Sequence, residues 1–150
     1  IEKNLRYRWR NVHEEEIIRV KTLCGIDEIL AQLPNGAKTK LSEGGTGLST
    51  GQRQRIALAR ALLGNPLLLL LDEVDANLDA QASMIIDRII AEHHGTILLA
   101  THQLKHIKAA DIVWYLEGGQ LIEAGPPNKI LYQNGPTAYF LGLHQQSAAN

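Results

Sequence analysis

Leu67 to Leu71 run without interruption into Asp72 and Glu73. Five apolar residues bounded by Pro66 on one side and acids on the other predict a buried strand of a parallel sheet. In open α/β sheets, ligands sit beyond the carboxyl ends of strands. The two carboxylates therefore stand where chemistry is done, and a chain built around such a strand has few folds open to it.

The stretch before it is of a different kind. A glycine-rich loop from Gly44 to Gly51 opens directly into a helix. Ile56, Ala59, Leu62 and Leu63 share one face of that helix, with Arg53, Gln54 and Arg60 largely off it. Gly64-Asn65-Pro66 stops it. A loop feeding a helix start is a ready anion site, because free N–H groups point outward and the dipole is positive there. Ser49 and Gly51 are thus able to hold a phosphate. The same residues also suit an ordinary loop with Ser49 as N-cap.

Together the two stretches resemble the signature and Walker B motifs of ATP-binding-cassette (ABC) ATPases, in that family's order and spacing. Asn77-Leu78-Asp79 resembles the D-loop, and Leu98-Leu99-Ala100-Thr101-His102 the strand that ends in the switch histidine. Ser42-Glu43-Gly44-Gly45 resembles the exporter X-loop, with Glu43 matching and Ser42 and Gly45 departing; a plain solvated acid is the alternative for Glu43. Ile1 to Arg10 is similar to the segment after the Q-loop, and Asn134-Gly135-Pro136 with its following helix to the ending of exporter nucleotide domains. The resemblance covers nearly the whole chain.

It implies an α/β fold: an incomplete P-loop NTPase (RecA-like, ABC ATPase) core with a helical subdomain. Residues 1–64 would form the helical subdomain with X-loop, signature motif and signature helix, and 65–150 the C-terminal part of the core. It implies ATP and Mg2+ as ligands. Asp72 would hold the metal through water, and Glu73 would polarise the attacking water as general base. His102 would contact the γ-phosphate, with a core histidine as the bland alternative. Ser49, Gly51 and Gln52 would bind the γ-phosphate of ATP on an opposite subunit, and Asp79 would reach across the dimer. Glu43 would couple to the membrane domain. The implied partners are a second nucleotide-binding domain, the transmembrane domains and the missing N-terminal portion of the same domain. The implied location is the cytoplasmic face of a membrane.

Departures from the family pattern sit at Thr50, where glycine is usual, at Ala76 in place of a serine, and at Asp75, an added charge. Gly36-Ala37-Lys38-Thr39 is not a phosphate loop, since Ala37 separates glycine from lysine and no strand leads into it. No other Walker A sequence occurs in the 150 residues. The expectation is a piece of a longer protein, since Ile1 is not a natural start. Without a Walker A strand beside the histidine strand, apolar faces on Ile97 to Leu99 should be exposed, and the chain should need that portion or a neighbour to stay soluble. Two other functions fit the motifs: a non-hydrolysing half-domain that lends its signature loop to a partner, and a soluble ABC ATPase of DNA repair or translation. The latter usually carries coiled-coil insertions or tandem cassettes, which are not found here.

Composition narrows the rest. Fifteen basic and 16 acidic residues argue against a nucleic-acid or polybasic membrane surface. Cys24 alone permits no internal disulfide and fits a small packed residue in a reducing compartment. The histidines show no zinc spacing, and no apolar run approaches the roughly 20 residues that span a bilayer.

The remaining elements follow from pattern. Glu14-Glu15-Glu16 start a helix with Ile17, Val20, Leu23 and Cys24 as its stripe, ended by Gly25. Asp27 is expected to cap a second helix through Ile29, Leu30 and Leu33. Asp79 caps a helix with Ala82, Ile85, Ile86, Ile89 and Ile90 inward. A short helix spans Gln103 to Ala110, a hairpin turns at Gly118-Gly119, and helices follow Pro126-Pro127 and Pro136, the last carrying Tyr139, Phe140, Leu141 and Leu143.

Overall fold

The computed structural model describes residues 1–6, 12–40, 47–75 and 78–143. The chain divides into two compact units, Ile1–Ala100 and Thr101–Asn150.

The first unit is assembled on one helix. After α1 (Glu2–Leu5), α2 (Glu14–Leu23) and α3 (Ile26–Gln32) comes a 3-10 turn (Gly36–Lys38), then α4 (Thr50–Leu62), β1 (Leu68–Asp72), α5 (Ala80–Glu92) and β2 (Thr96–Ala100). Helix α4 packs against α1, α2, α3 and α5. Its buried side chains, Ile56, Leu58, Ala59 and Leu62, meet Ile17, Val20, Cys24, Ile26, Ile29, Ile86 and Ile89 in one core. Gly64 and Asn65, both with positive φ (84° and 48°), turn the chain from α4 toward β1. The Gly64 N–H donates to Glu16 Oε1 at 2.6 Å, which ties that turn to the start of α2.

Strands β1 and β2 pair in parallel, with Leu68 opposite Thr96 and Asp72 opposite Ala100. Parallel pairing needs a crossover, and α5 supplies it. The helix covers one face only. Leu69 and Leu71 enter the core, whereas Leu68 and Leu70 are 54% and 66% exposed. The leucine run is therefore a strand buried on one side, not the fully buried strand its composition predicts. Alternation is imposed by the pleat, and helices cover only one side of this two-stranded sheet. The open side continues onto Leu98 (49% exposed), while Ile97 and Leu99 pack partly against the core. Exposure was expected along Ile97 to Leu99; it centres instead on Leu68, Leu70 and Leu98.

Asp27 does not cap α3. The N-cap is Gly25, held left-handed at φ 57°, and the helix starts at Ile26. Glycine reaches that conformation without steric cost. Asp27 falls in the first turn and pairs with Lys21 Nζ at 2.8 Å. The Gly36–Lys38 turn follows α3 and lies in no strand-to-helix junction, in agreement with its rejection as a phosphate loop.

The second unit holds α6 (Leu104–Ala109), β3 (Val113–Glu117), β4 (Gln120–Gly125), α7 (Pro127–Ile130) and α8 (Pro136–Phe140). Gly118 and Gly119 both have positive φ (56° and 77°), the pair a tight hairpin turn demands. The hairpin is antiparallel, with an irregularity after Tyr115. Glu123 Oε2 accepts from the Thr137 N–H at 2.9 Å and from its hydroxyl at 2.5 Å, fixing α8 to β4. The Tyr115 and Phe140 rings meet at 5.4 Å between centroids. Helix α8 ends at Phe140, and Leu141 and Leu143 lie beyond it, so the last helix is shorter than its apolar pattern predicts. The polar tail after Leu143 lies outside the described residues.

Candidate functional site

Asp72 closes β1, and the Glu73 N–H still donates to Ala100 O of β2 at 3.0 Å. The chain then leaves the sheet sharply, with Glu73 at φ 46°. That region is unfavourable for a residue with a Cβ and costs roughly 1–2 kcal/mol. Both carboxylates are exposed. Among the described residues neither has a hydrogen bond or ion pair, so both are open to a ligand. Asp75, two residues past Glu73, is buried.

The mouth of α4 is built by its own sequence. Ser49 is the N-cap: its Oγ accepts from the Gln52 N–H at 3.1 Å, and Gln52 Oε1 accepts from the Ser49 N–H at 2.9 Å. This reciprocal pair is a capping box. Gln52 Nε2 also donates to Gln32 Oε1 of α3 at 3.0 Å. The expectation of outward-pointing free amides needs correcting. Two of the N–H groups are taken by the box, because serine and glutamine stand at the spacing that closes it. The Thr50 and Gly51 amides remain. Thr50 Oγ1 accepts from Arg53 Nη2 at 3.1 Å, and Arg53 Nη1 donates to Leu48 O at 2.8 Å.

The mouth of α5 lies beside it. Asp79 is the N-cap, its Oδ1 accepting from the Ala82 N–H at 2.7 Å. Its other oxygen faces Gly51: a Cβ at Gly51 would stand 3.0 Å from Asp79 Oδ2 and 3.6 Å from Ala82 Cβ. Glycine at 51 is what lets the first turns of α4 and α5 approach so closely. The structure thus brings Ser49, Gly51 and Gln52 together with Asp79. Glu43, Ala76 and Asn77 lie outside the described residues. In the second unit His102 is exposed and stands two residues before α6; the Gln103 N–H donates to Thr101 Oγ1 at 2.9 Å. His102 is no core residue; among the described residues of that unit the buried histidine is His106.

Sequence reasoning missed Arg55. It is only 6% exposed and sits between α4, α3 and α5. Its Nε donates to Cys24 O at 2.7 Å, its Nη2 to Glu28 Oε2 at 3.1 Å and also to Gly25 O, and its Nη1 to Gln81 Oε1 at 3.2 Å. The signal was present: Arg55 stands four and seven residues before Ala59 and Leu62, on the apolar face of α4. Beneath it, burial pushes the Cys24 thiol up to about 12, against the lowering pull of Arg55 and Arg19.

The residues suit magnesium. No group of three or more His, Cys, Asp or Glu side chains able to hold a metal occurs among the described residues. The one open, hard carboxylate at Asp72 is compatible with an ion that keeps most of its water and binds through substrate phosphates.

This architecture is that of the P-loop NTPase class in its ATP-binding-cassette form. The chain belongs to the ABC transporter family, whose sequence model matches residues 2–76. It is 39% identical over 149 residues to ABC transporter B family member 3 of Dictyostelium discoideum, covering 97% of this chain and 10% of that protein. It is 38% identical over 135 residues to the cyclolysin secretion/processing ATP-binding protein CyaB of Bordetella pertussis, covering 89% of this chain and 19% of CyaB. A solved bacterial Atm1-family ABC exporter with ATP bound superposes with a TM-score of 0.79 at 31% identity, over 99% of this chain and 26% of that one. The chain thus spans roughly a tenth to a quarter of the length of these relatives. No helix among its described residues is long and apolar enough to cross a membrane.

Proposed function

We propose that these residues are part of the ATP-hydrolysing domain of an ABC exporter, in which nucleotide-driven closure of a domain pair moves the transmembrane domains. The observation that carries the reading is the pair of unpartnered carboxylates at the end of β1, with Glu73 held at positive φ. In this reading residues 1–64 serve as the helical subdomain and 65–150 as part of the core, at the cytoplasmic face of a membrane.

Glu73 accepts the proton of the attacking water, and its strained backbone sets where the carboxylate points. Asp72 would hold the water shell of Mg2+, which would supply charge neutralisation for the phosphates. His102, exposed and two residues past β2, donates toward the γ-phosphate. Ser49, the Gly51 amide left out of the capping box and Gln52 receive the γ-phosphate of ATP carried by the partner domain, and Asp79 meets the same partner. Gln52 Nε2 gives one N–H to Gln32 and keeps its second for the phosphate, while its Oε1 stays on the Ser49 N–H. Differential affinity for ATP in open and closed pairs is the source of the work. Glu43 transmits closure to the membrane domain.

The test is ATP turnover by the full-length protein and its Glu73→Gln variant. The amide keeps the shape and cannot take a proton, so turnover falls about 10²–10⁴-fold. Undiminished turnover removes Glu73 from the mechanism and the reading with it.

A further inference from the structure

The two helix mouths described above are joined a second time, one turn deeper. Gly51, itself buried, meets Asp79. Four residues on, Arg55 reaches Gln81, which belongs to the first turn of α5 and follows Asp79 by two residues. The guanidinium is itself immobilised from the other side by Cys24 O, Gly25 O and Glu28. Gln81 Nε2 closes the ring by donating to the same Glu28 oxygen. Gly25 leaves the space that this needs: a Cβ there would overlap the Arg55 guanidinium.

We propose that Arg55 is a positioning residue for the signature edge. Through Gln81 it fixes the Asp79 end of α5 against the Ser49–Gln52 mouth of α4, so that both segments meet the partner's nucleotide as one preset surface. The inference rests on the ATPase reading above. Arginine is required because one planar fork serves three elements at once; lysine keeps the charge and loses the fork. Neither Arg55 nor Gln81 is assigned a contact with the nucleotide. Their effect is on the cost of assembling the surface that does.

The link is cut most cleanly at Gln81, which is exposed, so Gln81→Ala leaves no cavity. In the full-length protein Gln81→Ala raises KM for ATP about tenfold, the effect of losing one hydrogen bond to a charged group, and leaves kcat at saturating ATP unchanged. Arg55→Lys raises KM at least as far, and the Arg55→Lys/Gln81→Ala double variant is no worse than Arg55→Lys alone, because both cut one link. A purely structural role would lower the amount of active enzyme, and so kcat, at constant KM. That pattern, a wild-type KM in Gln81→Ala, or additive effects in the double variant, overturns the proposal. Should Arg55→Lys fail to fold, the KM of Gln81→Ala decides alone. A wild type without ATP turnover overturns the ATPase reading and this inference together. Turnover that Glu73→Gln abolishes, alongside an unchanged KM in Gln81→Ala, overturns this inference only.

Discussion

Cys24 shows how much a single position owes to its neighbours. It is fully buried, and its backbone carbonyl takes the Arg55 Nε–H. Burial holds the thiol protonated up to about 12, against 9.0 for a free one. Between those values the unfolded chain has released the proton and the folded one has not. The thiol's contribution to stability is therefore whole below pH 9 and is lost as pH rises toward 12. Iodoacetamide at pH 8 should leave Cys24 unmodified in the native full-length protein and alkylate it in urea, as read by peptide mass. Labelling at equal rates in both would contradict the burial. A small packed cysteine was legible from composition. Its lid was not: a charged side chain on an apolar helix face reads as an interruption of the pattern until its acceptors are seen. Two of its four acceptors are the main-chain carbonyls of Cys24 and Gly25 at a left-handed turn, which leave little trace in sequence beyond Gly25.

Elements were easier to read than their edges. Helices α2, α4 and α5 and strands β1 and β2 lie where apolar spacing places them, because each buries a stripe that the sequence displays. Ser49 and Asp79 were legible as caps, since hydroxyl and carboxylate oxygens at a helix start have a fixed job. The cap of α3 was misassigned because Gly25, in the left-handed region, did the work expected of Asp27. The closed capping box on α4 was also unread: Gln52 stands as a phosphate ligand by resemblance and as a box partner by spacing, and the structure has it in the second arrangement. Ser49→Ala should lower the stability of the domain by about 1 kcal/mol, read as a reduced urea midpoint, while Ser49→Gly costs only a few tenths. Equal midpoints for Ser49→Ala and wild type would mean the box contributes nothing at that end.

At the scale of the molecule the two-stranded parallel sheet is covered on one side. Leu68, Leu70 and Leu98 form an apolar surface on the other, a face that soluble chains rarely leave bare. Residues 1–150 produced alone should self-associate at micromolar concentration by light scattering, and Leu70→Lys should reduce that association without unfolding the chain. Monodisperse behaviour of the unmodified chain would show the face to be harmless. The resemblance led to an open apolar face on this sheet; which leucines form it depends on the pleat and on where α5 crosses, and neither is written in the run of five. Glu73 carries a consequence of another kind. Its positive φ makes it a place where glycine would raise the folding stability by about 1 kcal/mol, while deleting the group that the proposed chemistry needs. A laboratory selection for heat resistance alone would favour that exchange, and would harvest a sturdier protein that had lost its engine.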